Sequence, residues 1–190
     1  MTSEAQLIEQ TLQGDTAAFG HLVRLYQDRL FTSIIHVIGQ REEAEDIVQD
    51  AFVQALLKLS SFRGHSSFYT WLYRIAINTA MNRQRQARPE VALDPTSSNP
   101  KNDPADPGDP PGEHLLRAER AQQIHTALGR LSDEFRTVLV LREVEGFDYE
   151  TIARVMDVSV GTVRSRLHRA RSLMREQLRR IHPDKNTTLS

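Results

Sequence analysis

Seven of the eight prolines in this 190-residue chain lie between positions 89 and 111. Proline has no amide hydrogen, and its ring collides with the preceding turn. The stretch RPEVALDPTSSNPKNDPADPGDPPGE therefore cannot continue a helix. It is also poor in large apolar groups and cannot form a core. Whatever folds must fold on either side of it. We read 89–113 as a flexible, exposed Pro/Asp-rich linker. Across 86–113, Arg88 and Lys101 face six acids, a charge that fits either simple solvation or an interaction role.

Both flanking blocks carry helical periodicity, and no strand pattern survives beside it. Four helices precede the linker. Ser3, with Gln6 three residues on, can cap the first, and Gly14 ends it. The second is predicted over about 16–38, with Phe19, Leu22, Val23, Tyr26, Leu30 and Ile34 on its buried stripe and Gly39 as its stop. The third covers about 42–59 and the fourth about 67–85. After the linker come helices over about 115–128 and 133–144, then a short helix, a turn and a long basic helix. The expected fold is all-α, with domains at 1–88 and 114–182 and a tail at 183–190.

Composition removes several function classes. The chain has no cysteine, which excludes disulfides, thiolate metal sites and cysteine nucleophiles and fits a reducing cytoplasm. No apolar run approaches a membrane span, and MTSEAQLIEQ lacks the pattern of a secretion signal. Neither membrane insertion nor a metal or other cofactor is expected. Net charge is −1, yet 161–185 gathers seven arginines and one lysine against two acids. Such a concentrated field attracts phosphate.

That basic region opens with VGTVRSRLHRAR and follows GFDYETIARVMDVS, the order of a helix-turn-helix whose second helix lies in a major groove. Val163, Leu167, Ala170, Met174, Leu178 and Ile181 recur at three- and four-residue steps as a packing face. Ser165, His168, Arg169 and Ser172 point the opposite way. Arg169 suits a guanine edge, Ser165 and His168 suit neighbouring bases, and Arg164 and Arg166 flank them for phosphates. Thr162 stands at the start of the same helix. Small Ala153 permits a close crossing, Val163 closes the same core, and Asp157 takes a turn position that favours the left-handed conformation.

Five of the twelve aromatics crowd into FRGHSSFYTWLY. On the fourth helix Phe68, Leu72, Ile75, Ala76 and Thr79 face inward, and Trp71, Arg74, Asn78 and Arg85 lie opposite. Phe62, Phe68 and Tyr73 suit a core. Trp71 suits either a core or a platform for bases that have left a duplex, with Arg on the backbone. The 62–67 loop, with Phe62, Arg63, Gly64, His65 and Ser66, suits a pocket for one extruded base. The third helix turns Ala44, Ile47, Val48, Ala51, Phe52 and Ala55 inward and Asp46, Gln49, Asp50, Val53 and Leu57 outward. Carboxylates beside exposed aliphatics point to a protein partner with basic and apolar groups.

AEDIVQDAF, FRGHSSFYTWLYRIAINTAMN and REVEGFDYETIARVMDVSVGTVRSRLHRAR together resemble bacterial sigma factors of the extracytoplasmic-function (ECF) group of the sigma-70 family, and within it the envelope-stress sigma-E type. The likeness covers 15–85 and 115–175 in order. It implies sigma domain 2 and a helix-turn-helix sigma domain 4. Asp46, Gln49, Asp50 and Val53 would meet the clamp helices of core RNA polymerase. Phe62, Arg63, His65, Ser66, Trp71, Arg74 and Asn78 would hold the melted −10 element. Thr162, Arg164, Ser165, Arg166, His168 and Arg169 would read the duplex −35 element, with the second domain docked on the polymerase flap. The resemblance also implies a cytoplasmic setting and an anti-sigma partner. His168 replaces an expected phenylalanine and His65 an expected aspartate, so the promoter sequence does not carry over.

The function expected is therefore a dissociable specificity subunit, not an enzyme. It directs polymerase to promoters and promotes strand opening in a stress or signalling response. A stand-alone helix-turn-helix regulator is the alternative, and a DNA recombinase a third reading. The chain carries no evident ligand or receiver domain for the former and no evident metal-ligand spacing for the latter.

Overall fold

Single residues write the helix ends. A computed structural model describes residues 3–86 and 111–181. Ser3 Oγ accepts from the Gln6 amide at 3.3 Å while the Gln6 side chain accepts from the Ser3 amide at 2.8 Å, a reciprocal cap that starts α1 (Glu4–Leu12). Asp15 accepts from the Ala17 and Ala18 amides and starts α2 (Thr16–Ile38). Gly39, at φ 86°, ends α2 in the left-handed region that glycine enters without penalty. Then follow α3 (Arg41–Lys58), a short 3-10 turn (Leu59–Ser61) and α4 (Phe68–Gln86).

The second half holds α5 (Pro111–Gly129), α6 (Asp133–Glu143), α7 (Tyr149–Met156) and α8 (Val160–Ile181). No strand occurs among the described residues, so the all-α expectation holds. α5 begins at Pro111, ahead of the start expected near 115. Proline is tolerated there because the first turn of a helix leaves its amides unpaired anyway. The rest of the expected linker and the tail at 183–190 lie outside the described residues.

One apolar cluster runs through both halves. Leu22, Leu30, Ile34, Ile47, Leu59, Phe68, Leu72 and Ile77 are buried in the first. The inward face predicted for α3 is the buried set observed, and its alanines let α3 lie close against α4. Val138, Leu141, Ile152, Val163 and Leu167 are buried in the second. The two halves also pack on each other, with α2 against α6 and α4 against α7. Sequence periodicity gave no sign of this seam, because it reports each helix's own faces and not which element covers them.

A polar pair sits inside the first core. Tyr73 and Ser33 are both fully buried, and their hydroxyls meet at 2.6 Å. Burial pushes the Tyr73 phenol above its ordinary range, keeping it neutral. Tyr73→Phe leaves the Ser33 hydroxyl without its partner. We expect a loss of about 1–2 kcal/mol in urea unfolding, and most of it should return in Tyr73→Phe/Ser33→Ala. No rescue by the second change would mean the pair is not the source of the loss.

Candidate nucleic-acid and partner interface

Three side chains set the helix ends of α7 and the start of α8. Asp148 accepts from the Thr151 amide at 2.7 Å and caps α7. Asp157 closes α7 at φ 54° and ψ 50°, the left-handed conformation expected of it. Ser159 accepts from the Thr162 amide at 3.1 Å and its hydroxyl meets that of Thr162 at 2.9 Å, which orders the first turn of α8.

α8 then divides as its periodicity requires. Val163, Leu167 and Ala170 are buried, whereas Met174, Leu178 and Ile181 are half-buried toward its end. Arg164, Ser165, His168 and Arg169 are exposed on the other side. Ser165 donates to the Thr162 carbonyl at 3.0 Å, which fixes its rotamer and leaves the oxygen's lone pairs facing out. Arg164 lies over the Tyr149 ring at 5.9 Å. A shallow hollow gathers Thr162, Ser165, Arg166, His168 and Arg169 with Glu134 and Phe135 of α6.

The arginines of α8 have different partners. Arg166 is half-buried and pairs with Glu134 at 2.9 Å, so it reaches a phosphate only by leaving α6. Arg171 pairs with Glu143 through two nitrogens at 2.7 and 3.0 Å and ties α8 to α6. Helical phase alone does not reveal Glu134 or Phe135, since they join the hollow through the α6–α8 crossing.

On α4 the aromatics form one cluster. Phe62 lies 5.3 Å from Trp71 and 5.9 Å from Phe68, and Phe68 lies 5.8 Å from Trp71. Phe68 is buried, and Phe62 and Trp71 are half-buried. Trp71 is thus part of a packed cluster that still reaches the surface. Arg74 and Asn78 are exposed on the next turns of the same helix. Gly64, at φ 69°, bends the 62–67 loop, where Arg63 and His65 are exposed and Ser66 is half-buried. Ser67 accepts from the Thr70 amide at 3.1 Å and so anchors the loop to α4.

α3 presents the third patch. Asp46, Gln49 and Val53 are exposed and Asp50 is half-buried. Arg83 of α4 pairs with Asp50 and lies 3.7 Å from Asp46. Gln49 and Val53 also line a groove between α2 and α3, floored by Phe19, Val23, Phe31, Val48, Phe52 and Leu56. Asp28, Arg41 and Glu45 stand on the same groove. Leu57 and Val53 are 76% and 53% exposed, an unusual cost unless something covers them. Sequence reading missed Phe31 and Leu56. The Leu56-Leu57 pair was the available signal, whereas Phe31 falls on a helix whose apolar face was assigned to the core.

Comparison with known proteins matches two stretches of the chain to two families. Residues 22–90 match the family described as Sigma-70 region 2, and residues 121–174 match Sigma-70, region 4. The chain is 41% identical to the RNA polymerase sigma-H factor of Pseudomonas aeruginosa over 92% of this chain and 93% of that one. It is 36% identical to the ECF RNA polymerase sigma-E factor of Haemophilus influenzae over 94% and 96%. Among solved structures it is similar to the sigma factor RpoE of Bartonella quintana, in complex with the anti-sigma factor NepR. That match has a TM-score of 0.67 and 28% identity, over 85% of this chain and 96% of that one. It is also similar to CnrH in complex with the cytosolic domain of CnrY, with a TM-score of 0.64 and 27% identity, over 90% and 94%. No helix among the described residues is long and apolar enough to cross a membrane.

The Asp148 cap makes the helix-turn-helix acid-sensitive. Its hydrogen bonds from Thr151, led by the backbone amide, hold the carboxyl below the usual aspartate range. A depressed value means the contribution is complete above the unfolded aspartate's value and disappears as pH falls through the folded one. Asp148→Ala should cost about 0.5–2 kcal/mol in urea unfolding near pH 7. The gap between the wild type and Asp148→Asn should shrink as pH falls below about 4, the range of an unfolded aspartate. A gap that stays constant over that window would remove the carboxylate from the account.

Proposed function

Because the chain belongs to the sigma-70 family of RNA polymerase sigma factors, in its ECF group, we propose that it divides promoter recognition between its two lobes. It directs core polymerase to promoters for transcription initiation. The observation that carries the division is structural: each lobe spends one helix face on its core and leaves a polar or aromatic face outside, α4 in the first and α8 in the second.

In this reading Arg164, Ser165, His168 and Arg169 read the −35 duplex, helped by Thr162. Arg166 joins them when it exchanges Glu134 for a phosphate. Trp71 and Phe62 stack on bases that have left the −10 duplex, with Arg74, Asn78, Arg63, His65 and Ser66 around them. Each stacked base contributes about 1–3 kcal/mol, so a few trapped bases offset the opening of a short bubble without ATP. Asp46, Gln49, Asp50 and Val53, with the α2–α3 groove beside them, bind the clamp helices, and the second lobe docks on the flap. The polymerase supplies the phosphodiester chemistry, and the chain itself is not an enzyme. The setting is cytoplasmic, in a stress or signalling response. An anti-sigma factor is the expected regulator, since one structural relative was solved bound to one.

Run-off transcription from a genomic promoter library, with purified core polymerase, tests the whole reading. Specific transcripts should appear only when the chain is added. Tight duplex binding without polymerase and an unchanged transcript profile would favour the stand-alone regulator. Arg169→Ala should lower −35 discrimination about 5- to 150-fold, the equivalent of 1–3 kcal/mol for a bidentate base contact. Trp71→Ala/Arg74→Ala should abolish bubble formation, read by permanganate footprinting, while leaving core binding intact. Normal bubbles in a folded double variant would remove α4 from strand capture.

A further inference from the structure

Asp46, Asp50, Gln54 and Lys58 recur at four-residue steps along α3, and α4 answers at the same step with Thr79 and Arg83. Gln54 donates to the Thr79 hydroxyl at 3.2 Å and accepts from Lys58 at 3.3 Å. Thr79 donates in turn to the Ile75 carbonyl at 3.0 Å. At that end the polar groups of the two helices satisfy one another. The other end differs. Arg83 sets one guanidinium nitrogen on Asp50 and the other 3.7 Å from Asp46. One cation of this chain thus spans two carboxylates of the face proposed to meet the polymerase.

This pairing suits replacement. The Asp46 and Asp50 side chains are 69% and 48% exposed and that of Arg83 is 33% exposed, so a partner can reach all three. Like charges four residues apart repel on a helix. A cation between Asp46 and Asp50 is therefore favoured whichever molecule supplies it. A planar guanidinium, with its fork of N–H donors, fits such a place better than a point charge. Beside the acids, Gln49, Val53 and Leu57 lie exposed on the same helix. A basic partner that covers them carries its own cations to Asp46 and Asp50. That position is already filled, and two cations repel each other there.

We propose that Arg83 is an internal stand-in for a basic side chain of the polymerase: it occupies the place between Asp46 and Asp50 in the free chain and is displaced when core polymerase binds. This step rests on the assignment of the α3 face to the polymerase made above. Arg83 touches neither DNA nor the reacting nucleotides, and it acts through the two acids. Its displacement subtracts from the affinity for core, and its charge slows the approach of a basic partner. Both effects keep the factor dissociable.

Equilibrium binding of the full chain to purified core polymerase tests the displacement, with circular dichroism confirming that each variant is folded. Arg83→Gln should bind core about two- to fivefold more tightly than the wild type at low salt, the range that an exposed ion pair can hold back. The gain should shrink as added salt screens the pair. Arg83→Met should match Arg83→Gln, and Arg83→Lys, a point charge in place of the fork, should fall between them and the wild type. Asp46→Asn/Asp50→Asn should bind core weakly, and adding Arg83→Gln to it should change nothing further. A pairing that only braced α4 against α3 would give weaker or unchanged binding in Arg83→Gln. Either result, with core binding lost in Asp46→Asn/Asp50→Asn, would overturn the stand-in and leave the α3 face with the polymerase. Core binding at the wild-type level by Asp46→Asn/Asp50→Asn would remove the polymerase from that face and the stand-in with it.

Discussion

Arg136 is a buried charged side chain where α6 meets the end of α2. Its Nη1 donates to the Val37 carbonyl at 2.9 Å and to the Ile38 carbonyl at 3.5 Å, at the end of α2. Its Nη2 donates to the Leu131 carbonyl at 3.1 Å and to Asp133 at 3.3 Å, at the start of α6. Burial lowers the guanidinium's affinity for its proton, and Asp133 opposes that. The carbonyls at the end of a helix carry the negative pole of its dipole and have no partner within the helix. A cation from the other lobe therefore satisfies acceptors that the first lobe cannot satisfy itself. The position of α6, and through it the settings of α7 and α8, follows from this contact. Burying the charge elsewhere would cost several kcal/mol, so the contact selects one arrangement among the many that two helical lobes could adopt.

Much of the fold was legible in the sequence because its helix ends depend on local chemistry. The Ser3–Gln6 cap, the left-handed Gly39 and Asp157, and the buried stripes of α3 and α8 each involve residues within a few positions of one another. Their geometry follows from 3.6 residues per turn. What was not legible was non-local. Arg136 reaching Val37, Glu145 reaching Arg29, and Glu134 reaching Arg166 join residues that no periodicity connects. Trp71 shows the limit within a single helix: phase placed it opposite the core stripe, yet Phe62 folds back from the loop and half covers it. The α5 start at Pro111 shows that proline marks a boundary without saying on which side it falls.

The candidate sites were legible to a different degree, because a recognition surface is defined by what remains uncovered. On α8 the outward residues follow from subtraction of the packing face, and Arg164, Ser165, His168 and Arg169 are exposed as that subtraction requires. Arginine, however, serves two purposes on this helix. Arg171 and Arg166 are paired to α6 carboxylates and hold the helix in place, whereas Arg169 makes no ion pair among the described residues. Residue type alone treats them alike. The acids of Glu134 and Glu143, set on the neighbouring helix, sort them.

The same sorting explains how the chain can be both ordered and exchangeable. Groups inside the fold can be buried against a single fixed partner, as Tyr73 is with Ser33. Groups proposed to meet a partner are held by partly exposed ion pairs, which contribute about 0–1 kcal/mol each. Asp46 and Asp50 lie against Arg83, and Arg166 against Glu134, in this weak regime. An incoming cation or phosphate replaces such a pair at little cost, while the interim pairing keeps like charges from repelling one another in the free chain. Rigid helices supply position and weakly held charges supply availability. The proposed function needs both, because a site that is tightly self-satisfied would not let go, and a bare cluster of charges would strain the fold that aims it.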